Sequence, residues 1–181
     1  MMQPTITRAV RPHKSRRKNK YLGSALAVLC AGIMLVSGCN GVRRQPIVPQ
    51  PTAPLEIDGS LEFLDQDEKL LASISIEIAE TIGARMMGLM DRHSLHPMHG
   101  MLFIFDTSEL KGFWMHRTYI PLDIIFVDAD KQIVNIAENT TPHSREAINS
   151  GEPVLYVVEV NAGFVKRFNI SDRSRIQWKR E

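Results

Sequence analysis

The sequence predicts an α+β fold: a single small domain with a bent, mostly antiparallel sheet or open barrel and one or two short helices. Two observations lead to this class. Short apolar segments with the alternation of strands outnumber the segments with a helical pattern. The domain, residues 60–181, contains no internal repeat and is long enough to bury one core without disulfides.

Eight strands are predicted along this domain. The clearest is residues 70–79, where Ile74, Ile76 and Ile78 alternate with polar residues in the pattern of a half-buried strand. The complete set is residues 61–64, 70–79, 101–105, 112–115, 122–128, 132–137, 154–160 and 175–178.

Two short helices are predicted between these strands. Thr81 can cap a helix over residues 82–90, since a threonine hydroxyl accepts a hydrogen bond from the first helical turn. Asn161 can cap a second helix that ends at Phe168.

The charge and hydropathy pattern of residues 1–38 predicts an export signal. Residues 1–20 contain seven basic residues and no acidic one, and residues 21–36 are all apolar or small. This run is shorter than the roughly 20 residues that a membrane span needs. The sequence LVSGC at residues 35–39 resembles a bacterial lipobox, so Cys39 is predicted to be acylated and to begin the mature chain. The alternative is a free-standing signal or anchor with an incidental cysteine.

The lipobox also predicts a partner and a location. The partner is a lipid bilayer, bound through acylated Cys39, and residues 39–59 form a proline-rich tether that favours neither helix nor central strand. Asn40, in place of an aspartate, favours the periplasmic face of the outer membrane. We therefore expect a lipid-anchored protein of the bacterial cell envelope.

Charge and cysteine content exclude several classes of function. The full chain has 22 basic and 20 acidic residues, but without the seven basic residues of the signal the count is 15 against 20, a net charge of −5. Binding to nucleic acid is therefore not predicted. Cys30 would be removed with the signal and Cys39 acylated, which leaves no free thiol. No serine-nucleophile or phosphate-loop motif occurs, so neither a catalytic residue nor a cofactor is assigned.

Residues 112–128, GFWMHRTYIPLDIIFVD, contain the strongest candidate for a binding site. Trp114 and Met115 can form the wall of a pocket, while Thr118 and Asp123 can orient a ligand at its edge. The alternative is that the tryptophan and methionine belong to the core and that the aspartate pairs with a nearby arginine.

Four motifs in order resemble the domain-of-unknown-function 192 family: RMMGLMDR at residues 85–92, GMLFIF at 100–105, FWMHRTYIPLDIIF at 113–126 and YVVEVNAG at 156–163. The resemblance implies a small α+β domain, commonly exported, with no established activity. The family usually has Lys-Asn where this chain has His116 and Arg117, so a contact made by that asparagine would change here.

The resulting hypothesis is a small-ligand or glycan-binding module. Ligand identity and oligomeric state stay open. The predicted ligand-binding residues are Arg85, Arg92, Trp114, Met115, Thr118 and Asp123.

Two alternatives belong to other classes of protein. Asp123 and Glu159 could form the acid–base pair of an envelope glycan hydrolase if they met across a cleft. A copper-binding protein is the other alternative, because imidazole and thioether ligands together suit copper. Its ligands would be His93, His96 and His99, with nearby methionines.

Overall fold

The computed structural model describes residues 55–181, which form nine strands and two short helices. In chain order they are β1 (Gly59–Leu64), β2 (Leu70–Ala79), α1 (Ile82–Met87), β3 (His99–Glu109), β4 (Gly112–Phe113), β5 (Leu122–Val127), β6 (Ile133–Ala137), β7 (Ile148–Asn149), β8 (Val154–Asn161), α2 (Phe164–Phe168) and β9 (Arg175–Arg180). The predicted signal, Cys39 and most of the predicted tether lie outside the described residues. In the described part, neither helix has the length and apolar character needed to cross a membrane.

Seven strands form one mixed sheet in the order β6-β5-β8-β3-β2-β1-β9. Every neighbouring pair is antiparallel except β2 and β3, which run parallel because α1 and the loop after it carry the chain back to the start of the next strand. The two outer strands approach each other at an isolated bridge between Gln132 and Arg175, without closing a barrel. The predicted α+β class, with a mostly antiparallel sheet and two short helices, is confirmed.

Side chains of the central strands alternate between two cores, one on each face of the large sheet. The first, which we call the α2 face, includes Leu102, Ile125 and Val158 and packs against Phe164 of α2. The second, the α1 face, includes Phe103, Met101, Ile124, Phe126 and Val157. A small sheet of β4 and β7 covers part of the α1 face. The predicted strand over residues 112–115 includes β4, but β7 is not predicted, because a strand of two residues carries no readable periodicity.

The helix α1 is shorter than predicted. Thr81 caps it as expected, its hydroxyl accepting a hydrogen bond from the Ala84 N–H at 3.1 Å. The helix ends at Met87 rather than at residue 90, because Gly88 adopts a φ of 50° and its N–H bonds to the Ala84 carbonyl. A Cβ atom at Gly88 would lie 3.3 Å from the Phe103 ring, so the turn also needs the small residue for space.

Asp123 is fully buried on β5 and holds the start of α2 in place. Its Oδ1 accepts a hydrogen bond from the Asn139 N–H at 2.8 Å, and its Oδ2 accepts one from the Val165 N–H at 3.0 Å. The helix begins after Gly163 and not at Asn161, so its first N–H groups have no side-chain cap of their own. The carboxylate of Asp123 supplies that acceptor from a distant strand.

We expect Asp123→Asn to lower the free energy of unfolding by about 2–4 kcal/mol, because one charge-assisted acceptor becomes an amide donor that faces a backbone N–H. Urea unfolding followed by circular dichroism measures this loss. The control is Asp128→Asn, where a turn carboxylate accepts a single N–H from Gln132 and the expected loss is about 1 kcal/mol or less. Equal losses in the two variants would contradict the structural role of Asp123.

Candidate ligand-binding cleft

An open cleft lies on the α1 face, between α1 and the loop that follows β4. Its volume is about 560 Å³, which is in the range of small-molecule pockets. Most of its lining is thioether or aromatic: Met86, Met87, Met90, Phe103, Phe105, Phe113 and Trp114.

Large apolar side chains are exposed on both sides of this cleft. Met86 and Met87 of α1 are 73% and 56% exposed, and Trp114, across the cleft after β4, is 52% exposed. Single exposed apolar residues are ordinary, but a group that lines one concave surface is typical of a binding site.

Backbone hydrogen bonds hold the loop that presents Trp114. The Met115 N–H donates to the Ser144 carbonyl at 3.1 Å, and the Thr118 N–H donates to the Met115 carbonyl at 3.1 Å. The Met115 side chain is fully buried, and its sulfur accepts a hydrogen bond from the Thr140 hydroxyl at 3.2 Å. Met115 therefore anchors the loop, while its neighbour Trp114 faces the cleft.

Phenylalanine rings form the floor of the cleft. Phe113 of β4 packs edge-to-face against Phe103, Phe105 and Phe126, with centroid distances of 5.1, 6.4 and 5.9 Å. Edge-to-face contacts of this kind hold rings in a defined orientation. The floor is therefore a fixed apolar surface that offers no hydrogen-bond donor or acceptor from these side chains.

Three cations also line the cleft, and each pairs with a carboxylate that is not part of the lining. The pairs are Arg85–Asp106, Lys111–Glu109 and Arg117–Asp91. The hydrogen bond from Lys111 lowers the pKa of Glu109, and the hydrogen bond to Asp91 raises the pKa of Arg117. Lys111 also lies 4.3 Å from the centre of the Phe105 ring. The cleft is thus apolar at its floor and cationic at part of its lining.

A buried carboxyl group lies beneath the cleft. Glu159 of β8 is 5% exposed and lines a small cavity of about 40 Å³ with Gly88, Phe103 and Thr118. Among residues 55–181, no group hydrogen-bonds to its carboxyl or forms an ion pair with it. Burial raises the pKa of Glu159 from 4.5 to about 8, so the group is protonated and uncharged at neutral pH.

The six predicted ligand-binding residues separate in the structure. Arg85 and Trp114 line the cleft together, and Thr118 lines the small cavity beneath it. Arg92 donates a hydrogen bond to Glu77 at 2.7 Å. Outside both cavities lie Arg92, Met115 and Asp123.

The acid–base pair of the hydrolase hypothesis is not formed. Directly paired residues on neighbouring strands share one face of a sheet. Across β5 and β8, Asp123 pairs with Val160 and Ile124 pairs with Glu159. Asp123 therefore lies on the α2 face and Glu159 on the α1 face, with the sheet between their carboxyl groups.

The three histidines of the copper hypothesis do not assemble into one site. The rings of His96 and His99 lie 4.5 Å apart, whereas His93 packs against Tyr119 with centroids 4.1 Å apart. Within the described range, no group of three or more His, Cys, Asp or Glu side chains is placed to hold a metal ion.

Sequence reasoning missed much of the cleft wall. Of α1 it names only Arg85 as a ligand-binding residue, although Met86 and Met87 are exposed and line the cleft. Two adjacent methionines at the end of a helix that contains Gly83 and stops at Gly88 are the available signal, because so short a helix cannot bury both.

Comparisons with known proteins show which family the domain resembles. The domain-of-unknown-function 192 family, described as "Uncharacterized ACR", matches residues 63–178. A solved structure from Sinorhizobium meliloti 1021, proposed to be a transcription regulator, is 36% identical, covers 70% of this chain and 96% of its own, and has a TM-score of 0.65. A protein of unknown function from Novosphingobium aromaticivorans DSM 12444 is 32% identical, with 71% and 89% coverage and a TM-score of 0.64. The comparison with curated proteins gives no match.

We expect Glu159→Gln to remove a pH dependence from folding stability. The contribution of Glu159 to the free energy of unfolding of the wild-type protein is fully present below pH 4.5 and is lost as the pH rises to about 8. The reason is that the unfolded chain releases the proton of this carboxyl at a lower pH than the folded protein does. The loss is on the order of 5 kcal/mol. Urea unfolding between pH 4.5 and 9 measures the free energy of unfolding of both proteins. The value for the glutamine variant should exceed the wild-type value by an amount that grows up to pH 8 and then stays constant. Parallel profiles, like those expected for the exposed control Glu152→Gln, would show that Glu159 titrates normally.

Proposed function

We propose that this chain, which belongs to the domain-of-unknown-function 192 family, binds small amphipathic molecules in the cleft of its α+β domain. The observation that supports this most strongly is the exposure of Met86, Met87 and Trp114 around one cavity of about 560 Å³. A ligand between them would remove their apolar surface from water, which is the main source of affinity in such pockets.

The lining favours an amphipathic ligand over a glycan. Sugar hydroxyls require several well-placed donors and acceptors, and among the described lining residues of the cleft there is no Asp, Asn, Glu or Gln. Trp114 could stack on a sugar ring, but the methionines and phenylalanines around it offer only apolar contact.

The cations Arg85, Lys111 and Arg117 favour a ligand with an anionic group. The Arg117–Asp91 pair is exposed on both sides, and such pairs contribute little to stability, so a ligand carboxylate, sulfonate or phosphate could replace Asp91 at small cost. A ligand whose anionic group binds these cations would place its apolar part against the phenylalanine rings of the floor.

We further propose that the domain works at the bacterial cell envelope, on a lipid anchor at Cys39. The support is the basic head of residues 1–20, the apolar run of residues 21–36 and the LVSGC sequence. The proline-rich tether would keep the cleft some distance from the bilayer surface.

Two fluorescent probes test the binding function on the full chain. The first is 1-anilinonaphthalene-8-sulfonate, and the second is N-phenyl-1-naphthylamine, the same aromatic body without the sulfonate. We expect both to bind, and Trp114→Ala to weaken both by roughly 5- to 30-fold, because a large aromatic contact contributes about 1–2 kcal/mol. The sulfonate probe should bind more tightly than the neutral one, by a margin that falls with added salt.

Tyr119→Ala is the matched control for this titration. Tyr119 is 45% exposed but lies outside the cleft lining, so its removal should leave both affinities unchanged. A folded Trp114→Ala protein with unchanged affinities would eliminate the cleft as the binding site.

Acylation is tested by expressing the full chain and its Cys39→Ser variant in a bacterium that processes lipoproteins. We expect the wild-type protein in the membrane fraction, with a diacylglyceryl mass on the residue at position 39, because two or more acyl chains give stable anchoring. The serine variant should lack that mass. An unmodified Cys39 in the mature wild-type protein would refute the anchor.

A further inference from the structure

Glu159 has no partner within the described part of the protein, although it is buried. It lies on β8 opposite Ile124 of β5 and Met101 of β3, both apolar. An ionisable group without a partner is costly to bury, whereas an apolar side chain of similar size would pack there without that cost. The unused hydrogen-bonding capacity of the carboxyl is available to a bound molecule.

The cavity beside this carboxyl adjoins the cleft. Met87, Phe103 and Trp114 line both spaces. The volume of about 40 Å³ is enough for one small polar group, such as a carbonyl oxygen or a water molecule. A molecule held in the cleft could therefore extend a polar group to Glu159.

The surroundings of Glu159 keep it uncharged at neutral pH. Within the described lining of the small cavity, Arg85 is the only other ionisable side chain, and its guanidinium is held by the Glu80 and Ile104 carbonyls at 2.6 and 2.7 Å. The groups that line this cavity from β3, β4 and the following loop do not titrate near neutral pH: Phe103, Phe113, Trp114 and Thr118. Because burial raises the pKa of Glu159 to about 8, its carboxyl has a proton to donate.

We propose that Glu159 determines the specificity of the cleft by donating a hydrogen bond to an acceptor oxygen, such as a carbonyl, on a bound amphipathic molecule. This inference rests on the proposed function, since the ligand must first occupy the cleft. A ligand cation is disfavoured at this position because Arg85, Lys111 and Arg117 line the approach.

Two uncharged probes of nearly the same shape test this role on the full chain. They are 2-acetylnaphthalene, which has a carbonyl acceptor, and 2-isopropenylnaphthalene, in which a methylene group replaces the oxygen. Each displaces N-phenyl-1-naphthylamine in a fluorescence competition. At pH 6 we expect the ketone to bind at least fivefold more tightly than the alkene, and at pH 9.5, where the carboxyl has lost its proton, we expect the preference to disappear.

Two variants separate the hydrogen bond from the shape of the cavity. Glu159→Gln keeps an N–H donor and cannot titrate, so the preference for the ketone should persist at both pH values. Glu159→Leu has no donor and should lose the preference at both, while still binding N-phenyl-1-naphthylamine.

Several results would overturn the inference. These are equal affinities of ketone and alkene for the wild-type protein at pH 6, an unchanged preference in Glu159→Leu, or tighter binding of 2-naphthylmethylammonium than of the ketone. In each case N-phenyl-1-naphthylamine still binds, so the proposed function survives. Failure of that probe to bind the wild-type protein would overturn both proposals.

Discussion

β8 lies between β3 and β5 and pairs with both, so its register decides which side chains enter each core. Val158 and Val160 pack on the α2 face, whereas Val157 and Glu159 point to the α1 face. A shift of one residue would exchange the two sets. The pairing that fills the α2 core with valines thus also places an ionisable carboxyl among apolar groups beneath the cleft.

The end of α1 builds the rest of the site over that carboxyl. Gly88 stops the helix after a single short stretch, and a Cβ there would approach both the Phe103 ring and, at 4.0 Å, the Glu159 carboxyl. Because the helix is so short, Met86 and Met87 remain exposed instead of packing in the core. In small-molecule sites the apolar lining supplies most of the affinity, and a few polar groups supply the selectivity. This cleft has an apolar lining with one buried polar group beneath it.

Features that depend on near neighbours in the sequence were predictable, and features that depend on distant contacts were not. Alternating isoleucines revealed β2, and Thr81 revealed the start of α1, because both signals are local. The structural role of Asp123 could not be predicted, because its carboxylate accepts a hydrogen bond from the N–H of Val165, which lies 42 positions away in the sequence. The exposure of Met87 likewise depends on where the helix ends and on what covers it. Motif order identified the family but carried no information on which motif side chains face outward.

If the cleft above Glu159 binds small amphipathic molecules, the side chains of its wall must respond to them. The most direct measurement is NMR of the full chain with ¹³C-labelled methionine methyl groups, titrated with N-phenyl-1-naphthylamine. We expect large, saturable shifts for the methyl groups of Met86, Met87 and Met90, which line the cleft, and little change for Met98, which packs against the opposite core. Shifts centred on Met98, or spread evenly over the methionines, would contradict binding in the cleft.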